Sequence, residues 1–165
     1  MAFDLARLSV VVLDGEPGAA PLWRQLGVGL GLRNLQVLGD VGQVWPRLGG
    51  QGAADVLLLR WDDAGKAAGL MRRLRRDVDS PNPFLPCLTV VTALTLERAR
   101  AALDAGVHGI LVPPLSPQAL RQKLTEVIET PRKFIRVESY FGPDRRRQAR
   151  ADYAGPFRRA ADKKR

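Results

Sequence analysis

Apolar and polar positions alternate along this chain in two rhythms. Leu8 to Leu13 is apolar except at Ser9, and Asp14 closes the run. A short continuous run of this kind predicts a strand buried on both faces, as in a parallel sheet. A helix is expected over Ala19–Leu32, because Leu22, Trp23, Leu26 and Leu30 recur at helical spacing, although Gly27, Gly29 and Gly31 weaken its end. "LQVLG" (35–39) reads as a second strand. Asp40 can cap a short helix over Val41–Leu48, which Pro46 must shorten or distort. "DVLLLRW" (55–61) is the third strand. A helix from Gly65 to Arg75 follows, with Leu70, Met71 and Leu74 inward and Arg72, Arg73, Arg75 and Arg76 mostly solvated. "PCLTVVTA" (86–93) is the fourth strand. Thr95 and Gly106 bound the next helix as start and stop signals. "GILVPP" (109–114) is the fifth strand, and Ser116-Pro117 opens a last helix reaching Glu129.

Strand and helix thus alternate five times within 130 residues. The pattern predicts an α/β fold: a doubly wound, five-stranded parallel sheet with helices on both faces and right-handed crossovers. In such sheets the chemistry lies beyond the carboxyl ends of the strands. The positions that matter are therefore Asp14-Gly15-Glu16, Gly39-Asp40, Arg60 to Asp63, Thr92-Ala93 and Pro113-Pro114. One of them is odd. Arg60 closes an apolar run that otherwise reads as fully buried.

Composition refines this picture. At 45% hydrophobic over 165 residues the chain can build one core. No apolar stretch is long enough to span a bilayer, and the first apolar run reads as a strand rather than a secretory signal. The single cysteine, Cys87, excludes an intrachain disulfide and fits inert core in a reducing cytosol. The net charge of +9 is concentrated at one end: residues 1–130 carry 14 Lys/Arg against 13 Asp/Glu, whereas residues 131–165 carry 12 against 4. The body is nearly neutral and the last 35 residues form a cationic extension.

Four stretches, "VVLDGEP", "ADVLLLRWDD", "VVTAL" and "DAGVHGILVPPLSPQAL", together resemble the CheY-like receiver domain of two-component response regulators. The resemblance spans residues 8–129 and implies the flavodoxin-like strand order 2-1-3-4-5. It also implies a five-membered site: two acids after the first strand that hold a divalent metal, a phosphoacceptor aspartate after the third, a Thr or Ser after the fourth, and a Lys after the fifth. Asp14 matches the first acid, Gly15 stands at the second, Arg60 at the phosphoacceptor, Thr92 is kept, and Pro113 replaces the lysine. Glu16 and Asp62 flank this degenerate pocket. An aspartate attacking a phosphoryl group needs a cation to neutralise developing charge, and an arginine at the acceptor position supplies no nucleophile and repels the metal. No metal, cofactor or catalytic residue is therefore expected, and the chain is expected not to be an enzyme.

The same residues predict what Arg60 does. Its guanidinium is expected to pair with Asp14, Glu16 or Asp62. The alternative is a side chain that snorkels to solvent without a partner. Asp62 is a poor substitute acceptor, since two strand residues displace it by roughly 6.6 Å; Asp62 and Asp63 otherwise read as loop acids at a helix N-terminus. Thr92 without a nucleophile reads as a hydrogen-bonded strand end. Ile110 stands where receivers often carry a switch aromatic. His108, the one histidine, reads as a surface residue in a turn. The resemblance further implies a cis bond between Pro113 and Pro114.

The cationic extension contains a near-repeat, "YFGPDRRR" and "YAGPFRRA", and resembles the FGPDRRR tails of some stand-alone alphaproteobacterial receivers. Its basic cluster is Arg145, Arg146, Arg147, Arg150, Arg158 and Arg159. Phe134, Ile135, Val137, Tyr140 and Phe141 offer a face for docking on the body, whereas the residues beyond are too poor in apolar groups to offset their ordering entropy. Two domains follow: 1–130, receiver-like, and 131–165, partly docked and then disordered. The leading functional expectation is a cytoplasmic, non-phosphorylatable signalling adaptor. Its partner would be a histidine kinase or another signalling protein, engaged, as the resemblance implies, through the fourth helix, fifth strand and last helix (Leu96–Glu129). The alternative is a nucleic-acid-associated protein that binds through the extension, where arginines beside aromatics suit phosphates and bases.

Overall fold

The computed structural model describes residues 4–146. Five strands, β1 (Ser9–Leu13), β2 (Asn34–Leu38), β3 (Val56–Arg60), β4 (Cys87–Val90) and β5 (Gly109–Leu111), form one parallel sheet in the order β2-β1-β3-β4-β5. Side chains alternate across a strand, so each continuous apolar run feeds two cores at once. Val10, Val12, Val56 and Leu58 face α1 (Ala19–Leu30) and α5 (Pro117–Glu129), packing with Trp23, Leu26, Leu120 and Leu124. Val11, Leu13, Leu57 and Leu59 face the other way, onto α2 (Val41–Val44), α3 (Lys66–Arg76) and α4 (Leu96–Asp104), where Val44, Leu70, Met71, Leu74 and Ala102 meet them.

The helix ends follow local chemistry. Asp40, Thr95 and Ser116 each cap a helix by accepting from Gly42 N, Arg98 N and Ala119 N. Pro46 shortens the second helix to one turn, and the chain continues as a 3-10 turn over Trp45–Arg47. The Pro113–Pro114 bond is cis.

Beyond α5 the chain makes an antiparallel hairpin, β6 (Phe134–Val137) and β7 (Tyr140–Pro143), paired from Phe134↔Pro143 to Val137↔Tyr140. It docks at the amino-terminal edge of β4 and β5. Phe84, Phe134 and Phe141 form a ring cluster with centroids 5.0–5.5 Å apart. The hairpin backbone lies against the end of α4: a Cβ on Gly142 would come within 3.0 Å of Gly106 Cα and 2.6 Å of Tyr140 Oη. Gly106 itself turns the chain at φ +95°.

The hairpin corrects two expectations. Arg75 is not solvated but 2% exposed. It lies four residues after Met71, on the buried stripe of α3. Its Nε and Nη2 donate to Gly106 O at 3.1 and 3.0 Å, Nη1 donates to Pro83 O at 2.7 Å, and Nη2 also donates to Leu85 O at 2.9 Å. His108 is not a surface residue but 7% exposed, its ring 5.4 Å from that of Phe134, and its Nδ1 accepts from Cys87 N at 3.1 Å. Burial, reinforced by the charges of Arg75 and Arg132, pushes its pKa down to about 3. Burial also raises the Cys87 thiol, against the opposing charge of Arg75.

Candidate functional site

The pocket implied by the sequence forms at the carboxyl edge, the opposite end of the sheet from the hairpin. Leu13 pairs with Leu59 across β1 and β3, so the next residues, Asp14 and Arg60, come side by side. Arg60 Nε lies 3.3 Å from Asp14 Oδ1 and 3.9 Å from Glu16 Oε2. The Asp14 side chain is 6% exposed and that of Arg60 27%. The remaining capacity of Asp14 is also engaged: Oδ2 accepts from Trp23 Nε1 at 2.9 Å, and Oδ1 accepts from Glu16 N at 3.1 Å. Both carboxylate oxygens are thus held by the protein itself, one by a guanidinium and a backbone amide, the other by an indole.

Gly15 is sterically determined. A Cβ there would sit 2.9 Å from the carbonyl oxygen of Gly39, which follows β2. No side chain fits at this second acid position without moving backbone.

Asp62 does not pair with Arg60, although the sequence left that open. Its two oxygens accept from Lys66 N at 3.0 Å and Ala67 N at 2.7 Å, capping the start of α3. Asp63 holds the guanidinium of Arg98 through both oxygens, Nε to Oδ1 at 3.0 Å and Nη2 to Oδ2, while Arg98 Nη1 donates to Ala93 O at 3.0 Å. Thr92 lines the cleft, exposed, and its hydroxyl has no hydrogen-bond partner among the described residues. The expected hydrogen-bonded strand end does not form: pairing with β5 runs only to Val91, whose N donates to Leu111 O at 2.9 Å. Pro113 is exposed at the end of β5. Ile110 packs against the core.

Glu16, Arg60, Asp62, Asp63, Thr92 and Arg98 surround an open cleft of about 440 Å³. Its cations and acids are matched internally: Arg60 to Asp14 and Glu16, Arg98 to Asp63. Arg98 was not foreseen as part of this site. The only signal was its place in the first turn of a helix that starts at the same sheet edge as the acids.

Of the basic cluster, Arg145 pairs with Asp104 and lies over the Tyr140 ring at 4.3 Å. Arg146 is exposed, its backbone N donating to Asp144 Oδ1 at 3.0 Å. Arg147, Arg150, Arg158 and Arg159 lie outside the described residues. The disorder expected from about residue 142 does not begin there: Gly142 and Pro143 are buried in β7, paired with Ile135 and Phe134, and Arg145 is held by Asp104; residues 147–165 lie outside the described residues. Among the described residues, no helix is long and apolar enough to cross a membrane.

Solved structures share this architecture. A protein from Burkholderia pseudomallei described as pilus assembly-related superposes with TM-score 0.61 at 24% identity, covering 75% of this chain and 91% of that one. A response regulator from Thermotoga maritima gives 0.62 at 14% identity, covering 74% and 98%. A chemotaxis protein from Vibrio cholerae gives 0.62 at 20% identity, covering 73% and 98%. No family model and no curated protein matches the chain. The fold is that of the CheY-like receiver domains of two-component signalling.

Proposed function

We propose that this chain is a pseudo-receiver: a signalling adaptor that accepts no phosphoryl group and acts through protein–protein contacts. The observation that carries the reading is Arg60 at the acceptor position, paired with Asp14 at 3.3 Å. Forming an acyl phosphate needs a carboxylate oxygen to attack phosphorus, and a guanidinium has no acceptor lone pair to offer. The charge a metal would neutralise is already neutralised by Arg60. The second acid is replaced by a glycine that Gly39 crowds, and the lysine by Pro113. Acids elsewhere in the cleft are occupied, Asp62 by helix amides and Asp63 by Arg98.

A receiver fold without phosphotransfer retains its surfaces. On and around α4 and β5, Leu94, Leu96 and Val112 are 50%, 68% and 44% exposed, apolar area of the kind that a protein partner covers. The partner would be a histidine kinase or another signalling protein. The description of the Burkholderia neighbour makes pilus assembly one pathway in which to look for it.

The test is acetyl phosphate labelling with magnesium, read by intact mass beside an ordinary receiver. No adduct is expected. Arg60→Asp should also remain unlabelled, because Gly15 and Pro113 are unchanged. Stoichiometric labelling of any aspartate in the native chain would overturn the proposal. The alternative, nucleic-acid binding through the extension, predicts sequence-dependent affinity that survives moderate salt. Loss of affinity with salt, irrespective of sequence, would reduce the extension to a polycation and favour the adaptor.

A further inference from the structure

A second cleft, which meets the degenerate pocket at Trp61, carries charge that the fold does not balance. It runs between α3 and α4 down to the hairpin and has a volume of about 320 Å³. Ala68, Ala101 and Ala105 line it with small apolar side chains, between Trp61 and Phe141. Past Arg76 it continues into a hollow of about 490 Å³ against the hairpin, where Arg136 joins the lining.

The acids of this region are mostly spent. Asp77 pairs with Arg73, and Asp104 pairs with Arg145. Glu138, at the hairpin turn, is the one acid lining the second hollow. Arg72, Arg76 and Arg136 are exposed, and among the described residues none of them has a carboxylate within ion-pair distance. Arg76 donates only to Ser139 O, and Arg136 lies over the Phe141 ring at 4.4 Å. Arg72 and Arg76 thus line the apolar slot and Arg136 the hollow that continues from it, all three exposed and free to meet anionic groups.

We propose that this cleft binds an acidic segment of a partner protein, an extended stretch whose carboxylates meet Arg72, Arg76 and Arg136 while one apolar side chain enters the alanine-lined slot. Arginine forks favour carboxylates because two parallel hydrogen bonds form at once. A slot of small side chains admits an aliphatic group rather than a duplex. Single-stranded nucleic acid is disfavoured for a separate reason: its affinity rests on free aromatic faces. Of the rings lining the cleft and the hollow, Arg136 covers Phe141 and Arg145 covers Tyr140, which leaves Trp61 alone, too few for successive bases to stack. The partner's being a protein rests on the adaptor reading. The cleft is on the α3 side of α4, so it extends that reading to a surface apart from the exposed leucines.

The full chain, isotope-labelled, is titrated with a short peptide of glutamates around a single leucine, at physiological ionic strength. Amide shifts are expected at Ala68, Arg72, Ala101 and Ala105. Replacing Arg72, Arg76 and Arg136 together by alanine should weaken binding by about tenfold or more. Ala101→Phe, at an exposed position, should fill the slot and weaken it too. Arg24→Ala on α1 should leave affinity unchanged, and a peptide with serine for leucine should bind more weakly. Oligothymidylate serves as the competing probe. Shifts confined to residues after 146, unchanged affinity in the triple variant, or tighter binding of oligothymidylate in this cleft would each overturn the proposal. None of these outcomes bears on acetyl phosphate labelling, so the two readings fail separately.

Discussion

Acidification should destabilise this protein through one residue. His108 is the only histidine of the chain, and in the fold it is neutral, with its Nδ1 bound by Cys87 N. Arg75 and Arg132 face it, and neither favours a second positive charge. Unfolded, the imidazole takes up a proton near its ordinary value of 6.5; folded, it does so only near 3. Across that window the unfolded state binds more protons, so stability rises with pH and is lost as pH falls from about 6.5 towards about 3. Staying above pH ~5 keeps the carboxylates out of the titration, and between about pH 7.5 and 5 the loss works out at ~2 kcal/mol. Urea unfolding followed by tryptophan emission measures it, since Trp23 is 2% exposed in the native core. His108→Gln should be less stable at neutral pH but nearly flat over the same range. A wild-type stability that does not change between the two pH values would refute the argument. So would a histidine titrating near 6.5 in the native state by NMR.

Other expectations can be checked by the same unfolding assay. Arg60→Met should cost about 1–3 kcal/mol, because it leaves the buried carboxylate of Asp14 without its cation. Adding Asp14→Asn should recover part of the loss, and purely additive effects would argue against the pairing. Arg75→Met should cost about 3 kcal/mol or more, since the carbonyls of Pro83, Leu85 and Gly106 lose their shared donor. Gly142→Ala should undock the hairpin, because its Cβ meets Tyr140 and Gly106; exchange-protected amides in β6 would contradict this. Ending the chain after Thr130 should destabilise it by uncovering Phe84 and His108, whereas ending it after Arg146 should not.

What could be read from the sequence alone is what adjacent residues decide among themselves. Unbroken runs such as Val56–Leu59 must bury both faces, which fixes a parallel sheet and, with intervening helices, its layers. Asp40, Thr95 and Ser116 cap helices through amides two or three residues on. Asp14 and Arg60 end neighbouring strands, so the strand order that the resemblance implies was enough to bring them together. Tertiary structure decided the rest, because it depends on segments far apart in sequence. Arg98 reaches Asp63 across 35 positions, and Gly15 is crowded by Gly39, just past the end of β2. Arg75 and His108 read as solvated and surface residues because short windows show only polar side chains in a helix end and a turn. They are buried because Phe134 and Phe141, folded into a hairpin, return to cover that edge. Local periodicity sets which way a side chain points; long-range packing sets whether anything lies over it.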